Sequence, residues 1–230
     1  MKFGGSAHMP GAAFHMETAM PSILTFGDSN THGTQPMRSR PSDLPRLARR
    51  WPVAMAETLG WDLVEEGLPG RTFAFPDPEM GPHMDGRLGL FIALESHGPI
   101  DAMTIMLGTN DLKAHFEADP EDIAAACGFH LDVALSEEMQ ARHGGFEPIL
   151  ILPPRPHGAG CLAETYAGAA EKAEAVQAAM RAEAEARDVA VFDANEVISV
   201  SDLDGVHFDA AAHEVLGRAV AAFILSEIED

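Results

Sequence analysis

Apolar residues along this chain alternate between two spacings. Short runs read as strands: Ile23 to Phe26, Trp61 to Glu65, Asp101 to Leu107, Pro148 to Leu152 and Val189 to Phe192. Asp101 to Leu107 alternates little, as expected where both faces of a parallel sheet are covered by helices. Between the strands the spacing becomes helical. Leu47, Trp51, Ala54, Met55 and Leu59 share one face and predict a helix over 47–59, closed by Gly60. A second helix is expected over 85–97. Asp119 as N-cap and Pro120 in the first turn start a long one reaching about His143. Leu162, Tyr166, Ala170, Ala173, Val176 and Met180 stripe an Ala-rich helix to about Arg187, and Val215, Leu216, Ala219, Phe223 and Ile224 stripe a closing helix. Strands alternating with helices predict an α/β fold, a three-layer α/β/α sandwich around a five-stranded parallel, flavodoxin-like sheet with right-handed crossovers.

Composition narrows this picture more than it changes it. The 230 residues suffice for one α/β domain, expected over 21–230, with no repeat or linker. The formal charge of −21 predicts a surface that repels phosphate backbones, so no nucleic-acid partner is expected. Cys127 and Cys161 lie far apart without a metal-ligand pattern and read as core thiols, so neither a disulfide framework nor a metal site is expected. No run approaches the roughly 18 apolar residues of a membrane span, and residues 1–20 lack a signal peptide's apolar stretch. A cytoplasmic protein without a membrane partner is the expectation. Gly5-Ser6-Ala7-His8-Met9 reads as a cloning remnant, and the tail as either derived from cloning or held by a neighbouring subunit.

The first strand runs into Gly27-Asp28-Ser29-Asn30, which puts a serine at a strand's carboxyl end, the edge where open α/β sheets collect ligands. Ser29 could equally cap a helix, so the other loops decide. A serine hydroxyl is a poor nucleophile until a base accepts its proton and a third group orients that base. Among the eleven histidines His207 stands out, since Asp204-Gly205-Val206-His207 places an acid beside its own imidazole between the fifth strand and the closing helix. Asp202 is the nearby rival for the acid. Acyl transfer also needs donors where negative charge develops, and the Ser29 N–H, the Gly70 N–H and the Asn110 amide are the candidates.

This set resembles the SGNH hydrolases, also called GDSL esterases and lipases, whose four blocks supply serine, glycine, asparagine and histidine in chain order. Gly27-Asp28-Ser29, Gly70, Gly108-Thr109-Asn110-Asp111 and Asp204-x-x-His207 match those blocks in order. Glu65 to Thr72, Met106 to Asp111 and Phe192-Asp193-Ala194 are similar to the branch of small bacterial aryl esterases and acyltransferases. The resemblance implies a cofactor-free serine esterase acting on small carboxylic esters, with short acyl, aryl or acetylated-sugar groups, through an acyl-enzyme on Ser29. It also implies acyl transfer to alcohols and a homo-oligomer. Asn30 departs from the family pattern, which has an apolar residue there. Asn30, Lys113, Phe116, Pro154 and Phe208 are the candidates for the substrate pocket. Two other classes compete: a flavodoxin-like nucleotide binder, disfavoured because no Gly-rich phosphate loop follows the first strand, and an SGNH-like carbohydrate-binding module without turnover.

Overall fold

The five apolar runs form five strands in a computed structural model that describes residues 20–42 and 44–229. They are β1 Ser22–Gly27, β2 Asp62–Gly67, β3 Ala102–Met106, β4 Glu147–Leu152 and β5 Ala190–Asp193. All pair in parallel, in the order β2-β1-β3-β4-β5, the flavodoxin-like order the sequence predicts. From β1 the chain first adds a strand on one side and then on the other, so the crevice of the sheet opens at the carboxyl end of β1.

Side-chain parity divides the core in two. Ile23, Ala102, Met106, Ile149 and Ile151 point to the face covered by α2 Trp51–Leu59 and α7 Ala210–Glu229, where Trp51, Met55, Leu216 and Val220 are fully buried. Leu24, Phe26, Met103, Ile105, Leu150 and Leu152 point to the other face, under α3 Gly86–Ser96, α4 Pro120–Ala134 and α6 Ala169–Glu185.

Where the helices depart from the sequence pattern, a turn residue has won over the apolar stripe. Residues 47–50 are not helical, and the second helix starts at Trp51, with Pro52 in its first turn where a missing N–H costs nothing. The expected helix from 120 to 143 is two, because Ser136 accepts from the Met139 N–H and so caps a separate α5, Glu137–His143. The Ala-rich helix starts at Ala169, since Gly168 has a φ of 81° that no helix interior holds. Its buried stripe still runs on from Leu162 and Tyr166, with Ala169 in the place given to the exposed Ala170. In α7, Val215 is 47% exposed and Val220 carries the contact. Cys127 is buried in the core, whereas Cys161 is only half-buried and donates to the Met37 carbonyl, which corrects its reading as a core thiol. The tail, but for Met20, lies outside the described residues. Among the described residues, no helix is long and apolar enough to cross a membrane.

The close crossing of α2 and α7 generates a test. A Cβ at Gly217 of α7 would lie 2.6 Å from the Ala54 Cβ and 2.6 Å from the Trp51 carbonyl oxygen of α2. Gly→Ala in an open helix gains up to about 1 kcal/mol, but here backbone must move. Gly217→Ala is expected to cost about 1–3 kcal/mol, read as a fall in Tm of several degrees; an unchanged or raised Tm would mean that the two helices can slide apart freely.

Candidate active site

Asp28 caps a four-residue helix, α1 Ser29–His32, by accepting from the Asn30 N–H at 2.8 Å. The chain turns helical directly after the strand, which fixes the Ser29 hydroxyl at the end of β1. The loop between β5 and α7 returns to the same point. There, His207 Nε2 lies 3.0 Å from Ser29 Oγ, and His207 Nδ1 lies 2.8 Å from Asp204 Oδ2. Asp204 Oδ1 accepts from the Val206 and His207 N–H groups at 3.0 Å each, and Oδ2 also accepts from the Met37 N–H at 2.8 Å. Burial pushes the Asp204 carboxyl up, but its bonds from the His207 ring and backbone outweigh this and hold it below the usual range. Asp202, the rival acid, is exposed. Ser29 is 6% and His207 5% exposed, so both can be reached only from the cleft above the sheet.

Three donors surround that cleft from three adjacent strand ends. Neither the Ser29 N–H nor the Gly70 N–H donates to another described residue. Gly70 takes a φ of 94°, so the turn favours glycine, and a Cβ there would press on the flexible ends of Met80 and Met84. Gly67, in the same glycine-rich turn, instead ends β2 and does not line the pocket over Ser29. Asn110 follows β3 and is 3% exposed. Its Nδ2 donates to Asp28 Oδ2 at 3.2 Å and to the Arg71 carbonyl at 3.1 Å, and its Oδ1 accepts from the Tyr166 hydroxyl at 3.1 Å.

Beneath the donors lies a layer of buried charge. Arg71 is 5% exposed, sits 4.1 Å above the Phe26 ring and donates to the Gly27 carbonyl at 3.1 Å and to the Glu66 carbonyl, tying the ends of β1 and β2 together. Burial brings its guanidinium down to about 10. Burial also pushes Asp28 up to about 6 and Asp111 up to about 7. Asp111 Oδ1 accepts from the Phe73 N–H at 2.8 Å, but its buried Oδ2 has no partner among the described residues.

A pocket of about 100 Å³ opens directly over Ser29, His207, Gly70 and Asn110. A larger groove of about 880 Å³ lies at the amino-terminal ends of the strands, lined by Pro21, Ala102, Glu147 and Ala190, away from every group described above. Size and chemistry therefore point to different places, and the chemistry is at the smaller one. Of the five expected pocket residues, Lys113 lines it. The other four do not. Asn30 is 1% exposed and donates to the Val206 carbonyl at 3.1 Å, under the His207 loop. Phe116 packs on Phe75 with ring centres 5.4 Å apart. Pro154 is buried, and Phe208 is fully buried in the α2/α7 core against His213.

Met37, Met80, Leu162 and Tyr166 line the pocket, although nothing in the sequence pattern points to them as its walls. The lone signal is Tyr166, the only tyrosine of the chain, which the helical stripe explains as core. Lys113 Nζ meets Asp77 Oδ2 at 2.7 Å, and Asp77 Oδ1 accepts from the Glu79 and Met80 N–H groups. This ion pair pins the turn that carries Met80 over Gly70. Among the described residues, no three His, Cys, Asp or Glu side chains come together in a way that could hold a metal ion.

Residues 25–215 match the model of the GDSL-like Lipase/Acylhydrolase family. Among solved structures, Est24, a carbohydrate acetylesterase from Sinorhizobium meliloti, is 31% identical with a TM-score of 0.81, over 90% of this chain and 99% of that one. The native aryl esterase of M. smegmatis is 32% identical with a TM-score of 0.81, over the same shares of 90% and 99%. A carbohydrate acetylesterase family member from Sinorhizobium meliloti is 27% identical with a TM-score of 0.75, over 89% and 97%. No curated protein matches the sequence.

The unpartnered carboxylate sets a pH dependence of stability. The folded state holds the Asp111 proton up to about 7 against an ordinary 3.8, so the contribution of this group is complete below about pH 3.8 and is lost as the pH rises through 7. Asp111→Asn keeps an acceptor for the Phe73 N–H and replaces the orphan charge by an amide, which costs less to bury unpaired. Each tenfold change in proton affinity on folding is worth roughly 1.4 kcal/mol. The variant is accordingly expected to exceed the wild type by on the order of 4 kcal/mol at pH 8, with the gap closing towards pH 4. Urea titrations at the two pH values check this; an equal gap at both would refute it.

Proposed function

The chain belongs to the GDSL-like Lipase/Acylhydrolase family and is a carboxylic ester hydrolase; from that premise we propose that it is a serine esterase for small acyl groups, working through an acyl-enzyme on Ser29. The observation that carries this reading is the unbroken relay of 3.0 Å and 2.8 Å from Ser29 Oγ through the His207 ring to Asp204. A module without turnover has no need of a buried carboxylate holding one imidazole nitrogen while the other faces a hydroxyl.

In the proposed reaction His207 Nε2 takes the Ser29 proton as Oγ attacks the ester carbonyl. Asp204, with His207 Nδ1–H donating to it, fixes the tautomer and stabilises the imidazolium. The carbonyl oxygen, now negative, is met by the free N–H groups of Ser29 and Gly70 and by the Asn110 amide, each such donor being worth about a hundred- to a thousandfold in rate. Collapse of the tetrahedral adduct expels the alcohol, which takes the proton from His207. Water then attacks the acyl group by the same route in reverse, and an acceptor alcohol in its place gives transfer.

Pocket size argues for the short acyl class. At about 100 Å³ the pocket over Ser29 is well below the roughly 300–1,000 Å³ of sites that take drug-sized ligands, which favours a short acyl group over a fatty chain. The likeness to an acetylesterase at 31% identity and an aryl esterase at 32% supports acetylated sugars and aryl acetates as the first substrates to try. Acyl transfer and assembly into an oligomer belong to the same proposal and rest on the resemblance of the sequence blocks.

Ser29→Ala is expected to lower turnover of an aryl acetate by at least about ten-thousandfold with an unchanged Tm, and a serine-directed phosphonate should label one residue per chain, Ser29. Turnover retained in the variant would end the assignment. Met80→Ala, which removes the wall over Gly70, is expected to raise the butyrate-to-acetate ratio of kcat/KM about tenfold. A ratio that stays put would move the acyl group to another wall of the pocket.

A further inference from the structure

The Asn110 amide has more protein partners than an oxyanion donor can easily spare. Both N–H bonds of Nδ2 already have acceptors, Asp28 Oδ2 at 3.2 Å and the Arg71 carbonyl at 3.1 Å. These distances are at the long end of the N–H···O range, so either N–H can be shared with a third oxygen. On the other side of the amide a single donor faces Oδ1, the Tyr166 hydroxyl at 3.1 Å. Two acceptors on one side and one donor on the other fix which way the amide points.

We propose that Tyr166 is a positioning residue of the oxyanion hole, its hydroxyl holding and polarising the Asn110 amide so that an N–H can be lent to the developing oxyanion. The proposal rests on the serine-esterase reading above. Three observations carry it. Tyr166 is 4% and Asn110 3% exposed, so the bond between them is largely shielded from bulk water. The segment bearing the tyrosine is fastened to the Asn110 loop, since the Ala114 N–H donates to the Thr165 carbonyl at 2.8 Å, and the pair therefore moves as one piece. Tyr166 also lines the pocket beside Ser29 and His207, next to where the charge develops. Burial, with Asp28, Asp111 and Asp204 nearby, pushes the phenol far above its ordinary value, so it remains a donor throughout the neutral range.

The chemistry follows from cooperativity. A hydrogen bond donated to Oδ1 draws electron density out of the amide and makes its N–H bonds better donors, an effect that grows as the oxyanion forms. An interaction that strengthens only then lowers the barrier without tightening substrate binding, and its loss shows in kcat rather than KM.

The test uses two perturbations of one hydroxyl. Tyr166→Phe is expected to lower kcat about tenfold with KM within about twofold, and to weaken a boronic acid that forms a tetrahedral adduct on Ser29 by the same factor. In an Asn110→Ala background the same change should add less than about twofold. Because the chain has a single tyrosine, uniform replacement by 3-fluorotyrosine labels this hydroxyl alone, without any cavity. Its fluorine resonance is expected to shift when the boronate binds wild-type enzyme and to stay fixed in Asn110→Ala. A full-sized Tyr166→Phe loss in the Asn110→Ala background, a loss confined to KM, or an unmoved resonance under saturating boronate overturns the role of Tyr166. Failure of the boronate to bind wild-type enzyme, together with an active Ser29→Ala, overturns instead the reading on which the role rests.

Discussion

The site exists because three parallel strands stop in register. Gly27 of β1 sits opposite Gly67 of β2 on one side and Met106 of β3 on the other. The loops that follow must therefore leave the sheet side by side, and they carry Ser29, Gly70 and Asn110. Glycine at 27 is part of the same constraint. A Cβ there would lie 2.0 Å from Thr31 Oγ1 and 2.9 Å from the Met106 carbonyl, so α1 can fold back onto the strand end only if position 27 is bare. Arg71 then locks two of the three ends by donating to the Gly27 and Glu66 carbonyls from above the Phe26 ring. Removing that guanidinium would leave the Gly27 carbonyl with the Leu68 N–H alone, at 3.0 Å, and would take away the one side chain that bonds to both strand ends.

A polar layer so deep in an α/β core is costly, and its partners explain why it persists. Asp28 is the joint of the layer: one oxygen caps α1 and the other receives the Asn110 amide, so the proposed nucleophile and the proposed oxyanion donor share one carboxylate. Lys113 and Asp77, both under 10% exposed, bury a complete ion pair. A pair like this adds little net stability against an apolar substitute, yet breaking it leaves one charge stranded. Its use here is positional, for it holds the 77–81 turn down on the pocket. The strongly negative surface, by contrast, lies outside this layer and has no part in the geometry.

How much of this is legible in the sequence follows the physics of each element. The strands, their order and the four loops at one edge of the sheet can be read, because buried parallel strands and glycine-rich strand ends leave local signals. The proposed triad residues and Gly70 can be picked out because their blocks are short and contiguous. Helix ends are misplaced wherever one capping or left-handed residue, Ser136 or Gly168, overrides a continuing apolar stripe. The pocket walls are mostly hidden. Nearness in sequence to a site residue says nothing about direction, and Phe208, beside His207, points to the opposite side into the α2/α7 core. Met80 and Tyr166 reach the cleft from segments whose own patterns look like loop and core.

Asn30 shows what the departures from the family pattern do. Placed next to the nucleophile, a polar side chain suggests a changed acyl pocket, but its amide faces away from the cleft and donates to the Val206 carbonyl. Val206 precedes His207, which lies 178 positions from Ser29 in the chain. Two separate contacts thus seat the His207 loop on the Ser29 side of the molecule: Asn30 to Val206, and the Met37 N–H to Asp204 Oδ2. The second comes from the loop that also supplies a pocket wall, so the segment that shapes the cleft takes part in holding Asp204. Substrate choice and the alignment of the relay are for that reason coupled through the backbone of residue 37, and a change of loop that alters one must preserve that N–H to leave the other intact.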